Sequence, residues 1–355
     1  MIIAERIYLR RNKQGEVKMV SMKNIADACG VSVATVSKAL NDRSDIGEET
    51  KKEIRKTAKE MGYLPNMSAR VLRTKRTYSI GVLFADEAQS GLTHPYFSSV
   101  LDNFKVSAES QGYDITFLNC SKTRENCMTY LEHSIYRGFD GVFIACINFN
   151  TPEVIELLQS KIPVVTMDYQ VNDRTSVSSG NVKGMSDLVT YIIECGHTRI
   201  AYIYGDESTV TRNRLAAFYQ TLEKNSIMVP DEYVKKSYYR DLESARICTE
   251  QLLSLDTPPT CIIYPDDFSA VGGMSHIKKL GLSIPEDISV AGYDGIFIAE
   301  QLEPKLTTVY QDTKTLGSTA AYRLIQLIEK PKSSVIEHIV IDSKLVVGGS
   351  IRESQ

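Results

Sequence analysis

The sequence predicts an α/β protein: a three-helix helix-turn-helix head joined to a two-lobed, doubly wound body. Three observations predict it. Residues 21–40, SMKNIADACGVSVATVSKAL, read as two short helices joined by a glycine turn. From Ser79 onward, short apolar runs alternate with amphipathic helical stretches. Charge is also divided unevenly. Residues 1–76 hold 17 Lys+Arg against 9 Asp+Glu (+8), and the remainder holds 24 against 35 (−11). A basic head on an acidic body predicts that the head alone meets a polyanion, with chance clustering of charge as the competing explanation.

In the head, Ser21 is a candidate N-cap for a first helix carrying Ile25, Ala26 and Cys29 at helical spacing. Gly30 supplies a tight turn. Ser32 caps a second helix, Val33 to Leu40, with Val36, Ala39 and Leu40 facing inward. Its outer face offers Val33, Ala34, Thr35, Ser37 and Lys38, small, hydroxyl or cationic groups suited to base edges and phosphates. On this spacing alone, an ordinary helical hairpin is the competing explanation. A third helix follows from Glu48 to Met61, with Ile54, Ala58 and Met61 apolar, ending at Gly62.

The next run is YLPNMSARVLRTKRTYSIGVLF, from Tyr63 to Phe84. Together with GVSVATVSKALN, it resembles the lactose/galactose-repressor (LacI/GalR) family of bacterial transcription factors. The resemblance is almost continuous from Met22 to Phe84 and continues more weakly to Gly349. It implies a DNA-binding set of Ser32, Val33, Ala34, Thr35, Ser37, Lys38 and Asn41 in the head. It also implies a hinge helix, Asn66 to Arg73, that folds only on operator DNA, paired with its dimer mate. A segment this short is not a stable helix alone in water. Leu72 matches the apolar wedge that opens a minor-groove step, Ala69 the small residue beside it, and Asn66 and Arg73 flank them.

Composition excludes several alternatives. At 355 residues the chain can bury two or three cores. No run of about 18 apolar residues is present, and the N-terminus lacks the apolar core of a secretory signal, which predicts a cytoplasmic protein. The seven cysteines form no CxxC pair and read as reduced packing thiols. The five histidines show no metal-ligand spacing, so neither a metal nor another cofactor is expected. Residues 1–20 fit neither head nor body. KQGEVKM reads as the translation of a purine-rich ribosome-binding sequence just before Met19, which predicts that the native protein starts there. A basic arm using Arg6, Arg10, Arg11 and Lys13 is the alternative.

The body begins with SIGVLF and continues with ITFLN, GVFIA, PVVTM, IAYIY, CIIY and ISVAGY, with later strands near Val309 and 336–347. Continuous apolar strands separated by helices indicate parallel sheets covered on both faces. Their number exceeds one small doubly wound domain and predicts two lobes. The resemblance implies a periplasmic-binding-protein-like pair joined by three crossovers. The expected divisions are an extension at 1–20, the head at 21–64, the hinge at 65–77, an N-lobe of 78–180 with 309–340, a C-lobe of 181–308 and a C-terminal segment of 341–355.

Ligands of open α/β sheets bind beyond the C-terminal ends of strands. After SIGVLF come Asp86 and then Tyr96 and Phe97, whose rings either stack on a sugar or base, or pack the helix they begin. Asn148 and Asn150 follow GVFIA, and Asp168 follows PVVTM, positions that turn chemistry also explains. In the C-lobe, Arg214-Leu-Ala-Ala-Phe218 matches the family's ligand-gripping helix, with Ala217 in place of glycine. Arg212 is a rival, and a surface ion pair is the plainer alternative for Arg214. The run from Asp266 to Gly272 matches the family's Asn-Asp-x-x-Ala-x-Gly loop, with Asp266 for the usual Asn. Its added charge favours a hydroxyl-rich or cationic ligand over a carboxylate, unless Asp266 and Asp267 merely cap the next helix. Pro285, Gly292 and Asp294 match a further motif, placing Asp294 at a strand end facing the cleft, with Gly295 where aspartate is frequent. LTTVYQD matches the family's crossover run, which implies that Gln311 lies at the cleft.

These observations predict a dimeric regulator that binds a palindromic operator, most simply a repressor of carbohydrate-use genes. A sugar or sugar derivative bound between the lobes would shift its DNA affinity. No nucleophile–base pair or phosphate loop argues for an enzyme, and no leucine heptads after Val347 argue for a tetramer. Two alternatives stay open: a cytoplasmic solute-binding or sugar-processing protein with an incidental helical N-terminus, and a regulator that senses a phosphoprotein partner.

Overall fold

The computed structural model describes residues 20–63, 76–85, 91–118 and 128–353. The chain divides into two compact units that meet at Thr77 and Tyr78. Asn66, Ala69, Leu72 and Arg73 of the expected hinge, and Asp86 of the expected cleft, lie outside the described residues.

The first unit contains α1 (Met22–Cys29), α2 (Val33–Leu40) and α3 (Glu48–Glu60). Ser21 starts α1 with a capping box: its Oγ accepts from the Asn24 amide, and Asn24 Oδ1 accepts from the Ser21 amide. Gly30 closes α1 with φ of 65°, a left-handed conformation that glycine adopts without steric cost. Ser32 then caps α2 through the Thr35 amide. In α3, Glu48 and Glu49 occupy the first turn and Lys59 the last, matching the helix dipole. Ile25, Ala26, Val36, Ala39, Ile54 and Ala58 form the buried centre of the three helices.

The second unit begins with β1 (Ser79–Phe84), α4 (Pro95–Ser110), β2 (Asp114–Phe117), α5 (Tyr130–Arg137), β3 (Gly141–Cys146), α6 (Pro152–Gln159), β4 (Val164–Met167) and β5 (Thr175–Ser179). It continues with α7 (Asn181–Glu194), β6 (Ile200–Tyr204), α8 (Thr209–Lys224), β7 (Val234–Lys236), α9 (Leu242–Leu253), β8 (Cys261–Ile263), α10 (Asp267–Lys279), β9 (Ser289–Ala291) and α11 (Phe297–Gln301). The last elements are β10 (Thr308–Tyr310), α12 (Thr313–Glu329), β11 (His338–Ile341) and β12 (Lys344–Val346).

Two parallel sheets result. The first has strand order β11-β5-β4-β3-β1-β2, and the second β7-β6-β8-β9. Each is covered on both faces, so alternate residues enter different cores. Ile80, Val82, Phe143 and Val165 face α4 and α12, whereas Leu83, Val142, Ile144 and Val164 face the other way. The second sheet has the same two-sided burial, with Ile200, Tyr202 and Ile263 on one side and Ala201, Ile203 and Ile262 on the other.

The chain passes between lobes three times: from β5 into α7, from β10 into α12, and from β11 into β12. One pairing departs from the parallel pattern, since β10 and β12 run antiparallel. The expected separate C-terminal segment, 341–355, is also corrected. Leu345 and Ile351 pack into the second lobe's core, and Ser350 Oγ donates to Val290 O while accepting from the Thr307 amide. No helix among the described residues is long and apolar enough to cross a membrane.

Candidate functional site

Two surfaces carry the chemistry, one in each unit. In the first, the turn at Gly30 and the cap at Ser32 present the outer face of α2. Val33, Ala34 and Lys38 are exposed, Val33 by 45% despite its apolar side chain. Burial of Val36 and Ala39 against α1 and α3 fixes which face remains outside. The other expected residues also have local duties. Ser32 Oγ and Thr35 Oγ1 share a hydrogen bond of 2.9 Å, and Asn41 Nδ2 donates to Ser37 O at 2.6 Å, closing α2. Lys38 Nζ lies 2.6 Å from Asp45 Oδ2, and that contact holds the Asp45 carboxyl below its ordinary range. A phosphate approaching Lys38 therefore competes with Asp45. On the adjoining face Arg55 and Lys51 both contact Asp42, at 2.8 and 3.2 Å.

In the second unit, charged side chains from both lobes meet beyond the C-terminal ends of the strands. The first lobe supplies Asp168, one residue past β4, with φ of 53°. Its Oδ1 accepts from the Ser179 amide at 3.0 Å. Burial pushes its carboxyl up to about 6, opposed by that amide, by Arg214 and by the Tyr96 hydroxyl. The second lobe supplies Asp294, three residues past β9, with φ of 104°. Its Oδ1 accepts from Gln311 Nε2 at 2.7 Å and lies 3.9 Å from Arg214 Nη2. Burial lifts Asp294 to about 7. Arg214 and Gln311 oppose that shift, while Asp266 and Asp168 add to it.

Arg214, on α8, is 3% exposed and is the cation at the centre of this group. Its Nε donates to Asn181 Oδ1 at 2.8 Å and its Nη1 to Pro265 O at 3.1 Å. Its guanidinium lies 3.5 Å from the centre of the Tyr293 ring. Burial disfavours the guanidinium's charge. Tyr293, Tyr239 and Asp294 more than offset that, so the group stays cationic. One guanidinium thus faces two carboxylates whose burial resists ionisation, within a wall of tyrosines. Such a group offers both donors and acceptors to hydroxyls.

The sequence-derived residues divide clearly. Asp168, Arg214, Asp294 and Gln311 come together, with the buried Tyr96 beside Asp168. Phe97 is half-buried and packs edge-on against Phe84 and His94, which is the helix-packing alternative. Asn148 is exposed, and its Oδ1 accepts from the Asn150 amide, so it builds the turn. Phe218 is corrected outright: it shares a face of α8 with Arg214 but lies one turn farther along the helix, fully buried in the second lobe's core against Tyr202. Asp266 is corrected to a structural group. Its carboxylate accepts from the Ser269 amide and hydroxyl and from the Arg240 amide, which occupies it with capping. Asp267 is likewise buried, accepting from the Ile296 amide and the Thr308 hydroxyl.

Four contributors were not singled out from the sequence: Asn181, Tyr239, Arg240 and Tyr293. Tyr293 lies inside a recognised motif, beside Asp294, and was legible there. Tyr239 and Arg240 follow β7, a three-residue strand of sequence VKK with no apolar run to reveal it. No cluster of His, Cys, Asp and Glu able to hold a metal ion occurs among the described residues.

Residues 21–66 match the family described as bacterial regulatory proteins, lacI family, and residues 189–351 match the periplasmic binding protein-like domain. The chain is 30% identical over 338 residues to the "Probable HTH-type transcriptional repressor ExuR" of Bacillus subtilis (strain 168), covering 94% of this chain and 99% of that one. It is 28% identical over 340 residues to the HTH-type transcriptional repressor CytR of Escherichia coli (strain K12), covering 94% and 96%. Among solved structures, the Lac repressor dimer bound to operator and the anti-inducer ONPF matches with a TM-score of 0.80 at 25% identity, covering 94% of this chain and 100% of that one. A LacI family regulator from Enterococcus faecium with bound ribose matches with a TM-score of 0.67 at 25% identity, over 78% and 100%. With a full-length relative at this identity and both domain models in order, the chain belongs to the lacI family of bacterial regulatory proteins.

Proposed function

We propose that this chain is a homodimeric transcriptional repressor that binds a palindromic operator and releases or grips it according to a small molecule held between its two lobes. The observation that carries this reading is the buried group of Asp168 from one lobe with Arg214 and Asp294 from the other. A ligand that hydrogen-bonds to both sides changes the free energy of lobe closure. That difference is the coupling an allosteric repressor needs, typically about 1–3 kcal/mol. Curated relatives named as repressors, and structures with bound sugars or operator, support a sugar-like effector, operator DNA and a dimer.

In this reading α2 enters the major groove, with Val33, Ala34 and Lys38 at base edges and Ser32, Thr35, Ser37 and Asn41 nearer the phosphates. Residues 65–77 serve as the hinge. The lobes follow the divisions 78–180 with 309–340 and 181–308, the second joined by the segment after β11. Regulation rather than catalysis is the function.

The test is selection of operator sequences from random DNA by the full chain, followed by gel shifts in the presence of sugars and their derivatives. A palindromic site whose affinity shifts with one compound is expected. The absence of any preferred site would remove the reading.

A further inference from the structure

Arg240 lies among loops that meet at the C-terminal edge of the second sheet. It follows β7 by four residues, where the chain leaves the sheet. Its neighbour Tyr239 lies over Gly205, where an added Cβ would stand 2.4 Å from the ring. The Tyr239 hydroxyl shares a hydrogen bond of 2.9 Å with Thr211, three residues before Arg214 on α8. The Arg240 amide donates to Asp266 Oδ2 at 2.8 Å, just past β8. Arg240 is thus tied to the loops after β6 and β8, on the same side of the sheet as Arg214 and Asp294.

Its backbone has φ of 60°, unfavourable for a residue with a long side chain. Its guanidinium lies 5.0 Å from the Phe268 ring centre. Yet Nε and Nη1 are buried and hydrogen-bond to nothing among the described residues. Buried guanidinium donors without an acceptor are costly, and native proteins seldom leave them so. The two adjacent carboxylates do not serve them. Asp266 accepts from the Ser269 amide and hydroxyl and from the Arg240 main chain. Asp241 accepts from the Glu243 and Ser244 amides, starting α9.

We propose that the effector carries an anionic group, a carboxylate or a phosphate, and that Arg240 is the residue that recognises it. The inference rests on the cleft reading above and deepens it. It also reverses the ligand preference drawn from the sequence, where Asp266 argued against a carboxylate. The charge of Asp266 is engaged within the fold, and what it holds in place is a guanidinium with unused donors. Buried, unmatched N–H groups of a guanidinium gain more from an anionic oxygen than from a neutral hydroxyl, because a charged acceptor makes the stronger hydrogen bond. The Arg214 group then takes the hydroxyls of the same molecule.

The test uses the full-length protein and matched sets of neutral hexose, hexuronate and hexose 6-phosphate, several epimers of each. Thermal shift and calorimetric titration measure binding. At least one acid or phosphate ester is expected to bind at least tenfold more tightly than its neutral parent, and which of the two binds identifies the anion. Arg240→Gln should abolish that preference, lowering the affinity of the acid or phosphate at least tenfold, to near that of its neutral parent, and Arg240→Lys should restore part of it. A neutral hexose bound as tightly as its acid and phosphate overturns the proposal. So does an acid or phosphate whose affinity survives Arg240→Gln, or a panel in which no anionic member binds. The cleft reading is tested separately by Arg214→Lys. If that variant binds every ligand of the wild type with unchanged affinity, the site itself is elsewhere, whatever Arg240 does.

Discussion

Replacing Asp294 by Asn isolates the electrostatic character of the cleft. Asparagine is nearly isosteric and tolerates the positive φ of 104° better than most residues, so the main change is loss of an ionisable group. Burial raises Asp294 from an unfolded value of 3.8 to about 7. Below 3.8 folded and unfolded chains both hold the proton, and the stabilisation from the raised pKa is fully present. Between 3.8 and about 7 the folded chain keeps the proton and the unfolded chain has lost it, so stability falls as pH rises. Above about 7 both are ionised and the loss is complete. A shift of about three units at about 1.4 kcal/mol each corresponds to a loss on the order of 4 kcal/mol, of which about 2 falls between pH 5 and 7. The direction is opposite to that of a carboxylate stabilised by an ion pair. Asp294→Asn removes the loss, so its melting temperature should rise relative to wild type from pH 5 to pH 8. The gain should be on the order of 5 °C, at about 2 °C per kcal/mol for a unit of this size. Differential scanning calorimetry of the ligand-free protein, with both chains in the same buffers, measures it. A difference that is flat with pH, or that falls, would mean that the Arg214 contact at 3.9 Å governs Asp294 and that burial does not.

The remaining predictions concern DNA. Ile54→Ala removes three carbons from the small core shared by α1, α2 and α3, at a cost of about 2–5 kcal/mol, comparable to the whole stability of a domain of about 45 residues. Operator binding should collapse while the calorimetric transition of residues 78–355 stays in place; normal gel shifts at 37 °C would contradict this. Exchanging the exposed Val33 and Ala34 for larger polar residues should change the selected half-site without lowering thermal stability, and an unchanged selected sequence would place α2 wrongly. Leu72→Ala should weaken specific operator binding strongly while nonspecific binding and its salt slope persist. Normal operator affinity with weakened ligand binding would make Leu72 a core residue of the body.

Local physics explains what was legible in the sequence. Capping, turn and helical spacing are short-range, so Ser21, Gly30 and Ser32 set the limits of α1 and α2. Two-sided burial demands continuous apolar runs, so most of the parallel strands could be read one by one, as could the strand ends carrying Asp168 and Asp294. Strands without such a run were not legible. The chain at β5 reads TSVSS and at β7 VKK, and both are held by partners distant in sequence.

Tertiary structure alone decided which polar groups are free. Sequence gave Arg214 a choice between a surface ion pair and a buried grip, and the sheet beneath it settled on burial, with Tyr293 across its face. Phe218 matched a motif just as well, yet it lies one turn farther along the same helix face and is packed into the core. Asp266 and Arg240 exchanged significance for the same reason. The loops after β7 and β8 meet only in three dimensions, and there the aspartate's acceptors are filled by amides and a hydroxyl, while the arginine's buried Nε and Nη1 are unmatched among the described residues. Residue type determined what chemistry was available. Which of it is already satisfied depends on distances between segments far apart in the chain, and those exist only once the two sheets have formed.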